Sequence, residues 1–432
     1  MTTPGRFVTV VVAALAVSAA ASLAPCRASA TEVATGTDIL WTRNALKAAE
    51  LARWQTVDQY AARIENPLAA KLVRWRKLID APDGTTFADL DAFLSENPRW
   101  PRNRRMLRHA ERLMPFEMAP EATLAWFGDR APASAEGAIR IAAALIAMGE
   151  KERGHDMVRR AWINGNYTKS DEADIYKRFK SLLTADDHIK RIDRLLWDGH
   201  TISAERMRYK VPEGWRRLAQ ARSSLRRRTG NVDYLVSKVP QNLSGDLGLL
   251  YERLRWHRRK NLDTTVDLLK GLPDNLPRPE LWWREKSVLA RQFLRNGHVS
   301  DAYTLATKHG LEPGGEDYAE AEWMAGWIAL RFLKDHEVAL KHFVKLGDAV
   351  DYPLSVSRAA YWAGRAAEAK GDDEAAVTWY RKAAEHPFAY YGQLAYAKLR
   401  PGKGLALPAA VSDAAREAEA EAFKNHELVG VV

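Results

Sequence analysis

Ala302, Ala339 and Ala376 follow one another at intervals of 37 residues, and so do Ala306, Phe343 and Tyr380, one helical turn further along. A fixed period of this size means a chain built from repeated units that bury their apolar faces only against neighbours. Projected back once, the second position is Leu269. Turn signals fall in step: Arg259-Lys260-Asn261, Asn296-Gly297, Lys334-Asp335 and Gly371-Asp372. Each unit therefore reads as helix, tight turn, helix. Trp323, Trp327 and Leu330 share one helical face at i, i+4, i+7, and Ala376, Tyr380 and Ala383 do the same. Small residues such as Ala363, Gly364 and Ala367 let the paired helices approach closely. The period lies between the roughly 34 residues of a tetratricopeptide unit and the roughly 40–47 of HEAT-type units. The pattern predicts a loose tetratricopeptide-like α-solenoid over 246–400.

Residues 31–245 show a weaker period but the same punctuation. Breaks fall at Asn66-Pro67, Pro82-Asp83-Gly84, Asn97-Pro98, Pro115, Pro132, Gly149, Asn164-Gly165, Gly199 and Pro212. This spacing suits helical hairpins. No run alternates in the manner of strands joined by hairpin turns. The expected class is all-α throughout, with 31–245 as an N-terminal helical superhelix.

The first thirty residues read as a cleavable export signal. Arg6 supplies the positive start, Phe7 to Ala24 is apolar and uncharged, and Ala28-Ser29-Ala30 is a small-x-small cleavage site. Cleavage is expected after Ala30, giving a periplasmic protein. A lipoprotein signal at Leu23-Ala24-Pro25-Cys26 is disfavoured by Pro25. Cys26 is the sole cysteine, so the mature chain would hold no disulfide and would rely on its core. No later stretch is apolar for a membrane-spanning length, so no span is expected after signal removal. At the other end, 409–429 reads as a helix with Ala415, Ala418, Ala422 and Leu428 near one stripe, followed by Val429, Val431 and Val432. Such an apolar end calls for a packing partner.

Formal charge is +10, and loss of Arg6 and Arg27 with the signal leaves +8. That suits a polyanionic surface such as a cell wall; export argues against nucleic acid. Arginines concentrate at Arg102, Arg104, Arg105, Arg108 and Arg112, and at Arg253, Arg255, Arg258 and Arg259 with His257 and Lys260. Either they form solvated faces paired with nearby acids, or they wall a groove for an acidic polymer. Most of the fifteen tryptophans fit as fillers between helices. Trp282-Trp283 is the exception, because neighbours on a helix point about 100° apart and should not both face a core. That pair is the candidate for stacking on sugar rings.

Recognisable catalytic motifs are missing. His336-Glu337 and His426-Glu427 lack the second histidine of a zinc-protease helix, so neither a metal nor another cofactor is expected. Asp186-Asp187-His188 places acid and imidazole side by side, but the acids are better read as capping the helix that starts there. Neither a phosphate-cradling glycine loop nor a nucleophile elbow occurs.

Seven stretches, in order, resemble the N-terminal helical part of the soluble lytic murein transglycosylases. They are Phe93-Leu94-Ser95-Glu96-Asn97-Pro98-Arg99-Trp100-Pro101, Val158-Arg159-Arg160-Ala161-Trp162, and 187–193 with Leu196-Trp197. Then come Tyr251-Glu252-Arg253-Leu254-Arg255-Trp256, Glu322-Trp323-Met324-Ala325-Gly326-Trp327, 360–367 and Tyr390-Tyr391-Gly392-Gln393-Leu394-Ala395. The resemblance implies a helical superhelix curved into a ring, with 401–432 as the start of a linker. It further implies a lysozyme-like domain that cleaves peptidoglycan glycan strands to 1,6-anhydromuramyl ends. There a glutamate in a Glu-Ser pair, followed by a Gly-Leu-Met-Gln-like segment, acts as acid and then base. This sequence holds no Glu-Ser dipeptide and no Gly-Leu-Met, so no catalytic residue can be assigned. The expectation is a transglycosylase scaffold without its catalytic domain, encoded separately or lost. The alternatives are a non-catalytic peptidoglycan-binding or adaptor solenoid, and an assembly factor unrelated to glycan.

Overall fold

The computed structural model describes residues 36–260, 265, 268, 269, 271–405, 413–424 and 429. These contain twenty-two α-helices and no β-strand. In chain order they begin α1 (Gly36–Glu50), α2 (Trp54–Ala61), α3 (Pro67–Asp80), α4 (Phe87–Glu96), α5 (Asn103–Leu113), α6 (Pro120–Phe127) and α7 (Ala135–Ala147). Next are α8 (Lys151–Asn164), α9 (Lys169–Phe179), α10 (Ala185–Trp197), α11 (Thr201–Met207), α12 (Glu213–Arg227), α13 (Val232–Ser237) and α14 (Leu247–Arg259). The remainder are α15 (Pro279–Arg295), α16 (Val299–Thr307), α17 (Gly315–Ile328), α18 (His336–Asp348), α19 (Pro353–Lys370), α20 (Asp373–Ala384), α21 (Tyr390–Leu399) and α22 (Asp413–Lys424).

The chain divides into two compact units, Met1–Met106 with Ser412–Val432, and Leu107–Val411. In the first, α1 packs on α2 and α3, burying Ala45, Ala48 and Ala49 against Val57 and Val73. The buried Asp38 carboxylate accepts from the backbone N–H groups of Glu65 (2.9 Å) and Asn66 (3.3 Å). Asn66 then caps α3 by accepting from the N–H groups of Leu68 and Ala69, with Pro67 at the first helical position. The break read at Asn66-Pro67 is thus a helix start fixed from two sides.

In the second unit most neighbouring helices pack on one another, and one series of helices also meets from hairpin to hairpin. Thus α8 meets α10, α10 meets α12, α12 meets α14, α14 meets α15, α15 meets α17, α17 meets α19 and α19 meets α21. That is solenoid packing. All six periodic positions are buried: Ala302, Ala339, Ala376, Ala306, Phe343 and Tyr380. The hairpin turns carry the same period. Gly297, Lys334 and Gly371 stand 37 residues apart with φ of 83°, 59° and 83°. A left-handed backbone closes each turn, and glycine adopts it without the clash a β-carbon makes. Lys334 does so after a π-helical turn, Ala329–Leu333. Gly326 lies under the ring of Phe343 and Gly364 under that of Tyr380, each too close for a β-carbon. Residue 245, the boundary expected from sequence, lies inside this unit, between a 3₁₀ turn (Gln241–Leu243) and α14.

The export signal, with Ala28 and Ala30, lies outside the described residues. So do Leu428, Val431 and Val432 and the side chains of Ala415, Ala418 and Ala422. Among the described residues no helix is long and apolar enough to cross a membrane.

Candidate functional site

The arginine run of α14 divides between two faces. Arg255 and Arg258 turn toward the helix stack. Arg255 pairs with Glu252 at 2.9 Å on its own helix and with Glu285 of α15 at 3.4 Å. Arg258 also binds Glu285. Glu252 is buried and takes a third guanidinium, Arg226 of α12, at 2.7 Å. Burial works against the Arg255 cation, but Glu252, Tyr251 and Glu285 raise its pKa above the usual arginine value. Arg255 and Arg258 tie α14 to α15, Arg226 ties α12 to α14, and the first two are thereby removed from the candidate glycan surface.

Arg253, Trp256 and His257 follow one another at i, i+3, i+4 on another face of α14, with Lys260 at i+7 as the C-cap. Lys260 Nζ sits 5.2 Å from the Trp256 ring centroid. Partial burial, and then Arg253, lower the pKa of His257. Arg259 is exposed, and Arg255 and Arg228 add to the effect of burial in lowering its pKa. Neither Arg253 nor Arg259 makes an ion pair among the described residues. Uncompensated cations can attract an anionic polymer, and the partly buried Trp256 indole beside them, whose inner side packs on the core, can stack on a ring of it.

Trp282 and Trp283 are both fully buried, so neither offers a face to a sugar. Their neighbours differ. Trp282 packs with Tyr251, Leu254 and Leu289. Trp283 packs with Ala302, Ala306 and Met324, and its Nε1–H donates to Glu320 at 3.3 Å. A helix sandwiched between layers buries residues that point 100° apart. The adjacency argument holds only for a helix with one buried side.

The other arginine cluster sits on and before α5. Arg105 pairs with Asp80 at 2.7 Å, and Arg102, Arg104 and Arg108 are exposed. Asp187 does cap α10: Thr184 is the N-cap and Asp187 the reciprocal partner in a capping box. Asp186 instead pairs with Lys190 at 2.6 Å. His188 accepts from Trp162 Nε1–H at 3.1 Å and is lowered in pKa chiefly by burial. It is a core histidine. Among the described residues no group of His, Cys, Asp and Glu could hold a metal ion.

Sequence reading missed a buried acid between two imidazoles. Glu322 of α17 meets His342 Nδ1 of α18 at 2.6 Å and His309 Nε2 at 3.3 Å. His342 Nε2 in turn lies 3.1 Å from the Tyr303 hydroxyl. His309 Nδ1 accepts from the Leu311 N–H, so its Nε2 carries the proton given to Glu322. Burial opposes the Glu322 carboxylate, yet the two histidine hydrogen bonds outweigh it and hold the pKa at about 2. A carboxyl ionised so firmly is not a proton donor near neutral pH. Glu136 is the opposite case, raised by burial and then by Asp171 and Glu111.

No family model matches the sequence, and no curated protein sequence matches it. Among solved structures the chain is similar to lytic transglycosylase Slt from Pseudomonas aeruginosa, an inactive mutant. The TM-score is 0.56 at 15% identity, over 90% of this chain and 62% of that one. A complex of the 70-kDa soluble lytic transglycosylase with bulgecin A matches at a TM-score of 0.39 and 12% identity, over 91% of this chain and 64% of that one. The chain therefore spans less than two thirds of either structure's length. At such identity the first likeness is one of fold: an all-α architecture shared with Slt over nearly all of this chain.

Proposed function

We propose that this chain is a peptidoglycan-binding helical scaffold of the soluble lytic transglycosylase type, working in the periplasm. The observation that carries it is the fold shared with Slt over 90% of the chain. Two further features support it. The charge is +8 once Arg6 and Arg27 leave with the signal, and Arg253 and Arg259 of α14, with Lys260 at its C-cap, lie around Trp256. Acidic glycan strands are the ligand this face fits. In this proposal 1–30 is a removed signal and 401–432 begins a linker. Glycan cleavage needs a lysozyme-like catalytic domain in addition to these residues, because the sequence holds no Glu-Ser pair to act as acid and base.

The test is to incubate the purified chain with murein sacculi and analyse the soluble products by mass spectrometry. We expect no anhydromuropeptides above a heat-inactivated control. Release that disappears in Glu136→Gln would overturn this division of labour and make Glu136 a proton donor. A plain adaptor solenoid gives the same null cleavage result; failure to bind sacculi would favour that alternative.

A further inference from the structure

The stripe by which α15 enters the core contains a lysine. Lys286 lies three residues after Trp283 and three before Leu289, and it is only 6% exposed. The two buried arginines of this unit both have acids: Arg191 has Glu172, and Arg222 has Asp193 and Asp246. Lys286 has none. Its ammonium donates to the backbone carbonyl of Lys308, and no carboxylate among the described residues lies within ion-pair distance. A buried ammonium with one neutral acceptor is an incomplete arrangement.

Lys286 lines a cavity of about 200 Å³ between α15, α16 and the segment before α15. Leu269, Leu272, Phe293 and Leu305 give it an apolar wall. Lys308, Asp274, Asp301 and Thr304 line it too, and Lys308 and Asp274 pair with each other at 2.8 Å. The volume exceeds the roughly 150 Å³ of an apolar cavity able to hold benzene. One cation without a counter-ion, one apolar wall and two carboxylates nearby together select a ligand that is small, singly negative and otherwise apolar. A phosphate or a polyanion would find only Lys286 to pair with, since Lys308 is taken by Asp274, and would meet the Asp301 carboxylate.

We propose that this cavity binds a small amphipathic carboxylic acid, its carboxylate paired with the Lys286 ammonium and its hydrocarbon lying against Leu269, Leu272 and Phe293. Burial, and then Lys308, lower the Lys286 pKa to about 8, which Asp274 only partly offsets. The cation that holds the ligand therefore disappears under mildly alkaline conditions. Asp274, kept below the usual carboxylate range by its hydrogen bond from Lys308, stays ionised there and does not contribute to the change.

Titration calorimetry of the full chain with hexanoate, 1-hexanol and hexylamine tests this site. Hexanoate should bind, hexylamine should not, and Lys286→Met should weaken hexanoate at least tenfold while leaving 1-hexanol unchanged. Lys286→Met should fold, since it keeps the length of the side chain and removes a buried charge. A second measurement needs no variant: wild-type affinity for hexanoate should fall about tenfold from pH 7 to pH 9, as the charged fraction of an amine titrating near 8 falls. No binding of hexanoate, equal binding by Lys286→Met, or affinity unchanged over that pH span would each overturn the assignment.

Discussion

A β-carbon on Gly364 would lie 2.7 Å from both Cδ1 and Cε1 of Tyr380. The Tyr380 hydroxyl donates to Glu368 at 2.8 Å, so the ring is pinned at its far end and cannot easily yield. The preceding hairpin repeats the arrangement: a β-carbon on Gly326 would lie 2.7 Å from Cε1 of Phe343. Gly364→Ala should therefore overpack the contact of α19 with α20 and destabilise the unit by about 1–3 kcal/mol. Guanidinium unfolding followed by circular dichroism would show it as a lower midpoint. An unchanged midpoint would mean that the ring has room to move.

Lys334 supplies the opposite case. It holds a left-handed backbone, φ 59°, at the turn position where the hairpins before and after it have glycine. Lys334→Gly should stabilise the unit by about 0.5–1 kcal/mol, because relief of about 1–2 kcal/mol of left-handed strain exceeds the roughly 0.4–1 kcal/mol that glycine's freer unfolded chain costs. A thermal midpoint that drops instead would show that the lysine side chain contributes more than its backbone strain costs.

The 37-residue period made the hairpins, their turns and their buried stripe legible, because helix pairing repeats and leaves the same small residues at the same places. Trp282 and Trp283 were misread because the pattern of one helix cannot show how many layers surround it. The arginines of α14 were only half legible. Their spacing gives the faces, but which face meets Glu252 and Glu285 depends on α12 and α15. Lys286, and Glu322 with His309 and His342, were invisible because a charged residue on an apolar stripe looks like an exposed one until its neighbours are placed.

Acid should expose the Glu322 cluster. Its folded pKa, about 2, lies below the ordinary glutamate value of 4.5. A depressed carboxyl stabilises the fold above the unfolded pKa and loses that contribution as pH falls through the folded one. The span of 4.5 to 2 corresponds to about 3 kcal/mol as an order of magnitude. Denaturation midpoints taken from pH 6 down to pH 2 should fall in the wild type and fall less in Glu322→Gln. Parallel curves for the two proteins would sink the idea.

Burial should decide which ion pairs matter. Glu172 is buried and accepts from Arg191 (3.0 Å) and Arg206 (3.1 Å), and the Arg191 side chain is fully buried. Glu172→Ala leaves a buried cation unpaired and should cost about 3–5 kcal/mol. Asp186 and Lys190 are both exposed, so Asp186→Ala should change stability little. Similar losses for the two variants, compared by urea unfolding, would contradict this ranking.

Co-sedimentation with purified sacculi measures the scaffold role most directly. The chain should pellet with sacculi at low salt and progressively less as salt rises, since its cations act through screened attraction. Arg253→Glu combined with Arg259→Glu should reduce the bound fraction severalfold without altering the circular dichroism spectrum, because neither arginine makes an ion pair among the described residues. A chain that stays in the supernatant at every salt concentration, or a double variant that pellets as well as the wild type, would contradict peptidoglycan binding by this face.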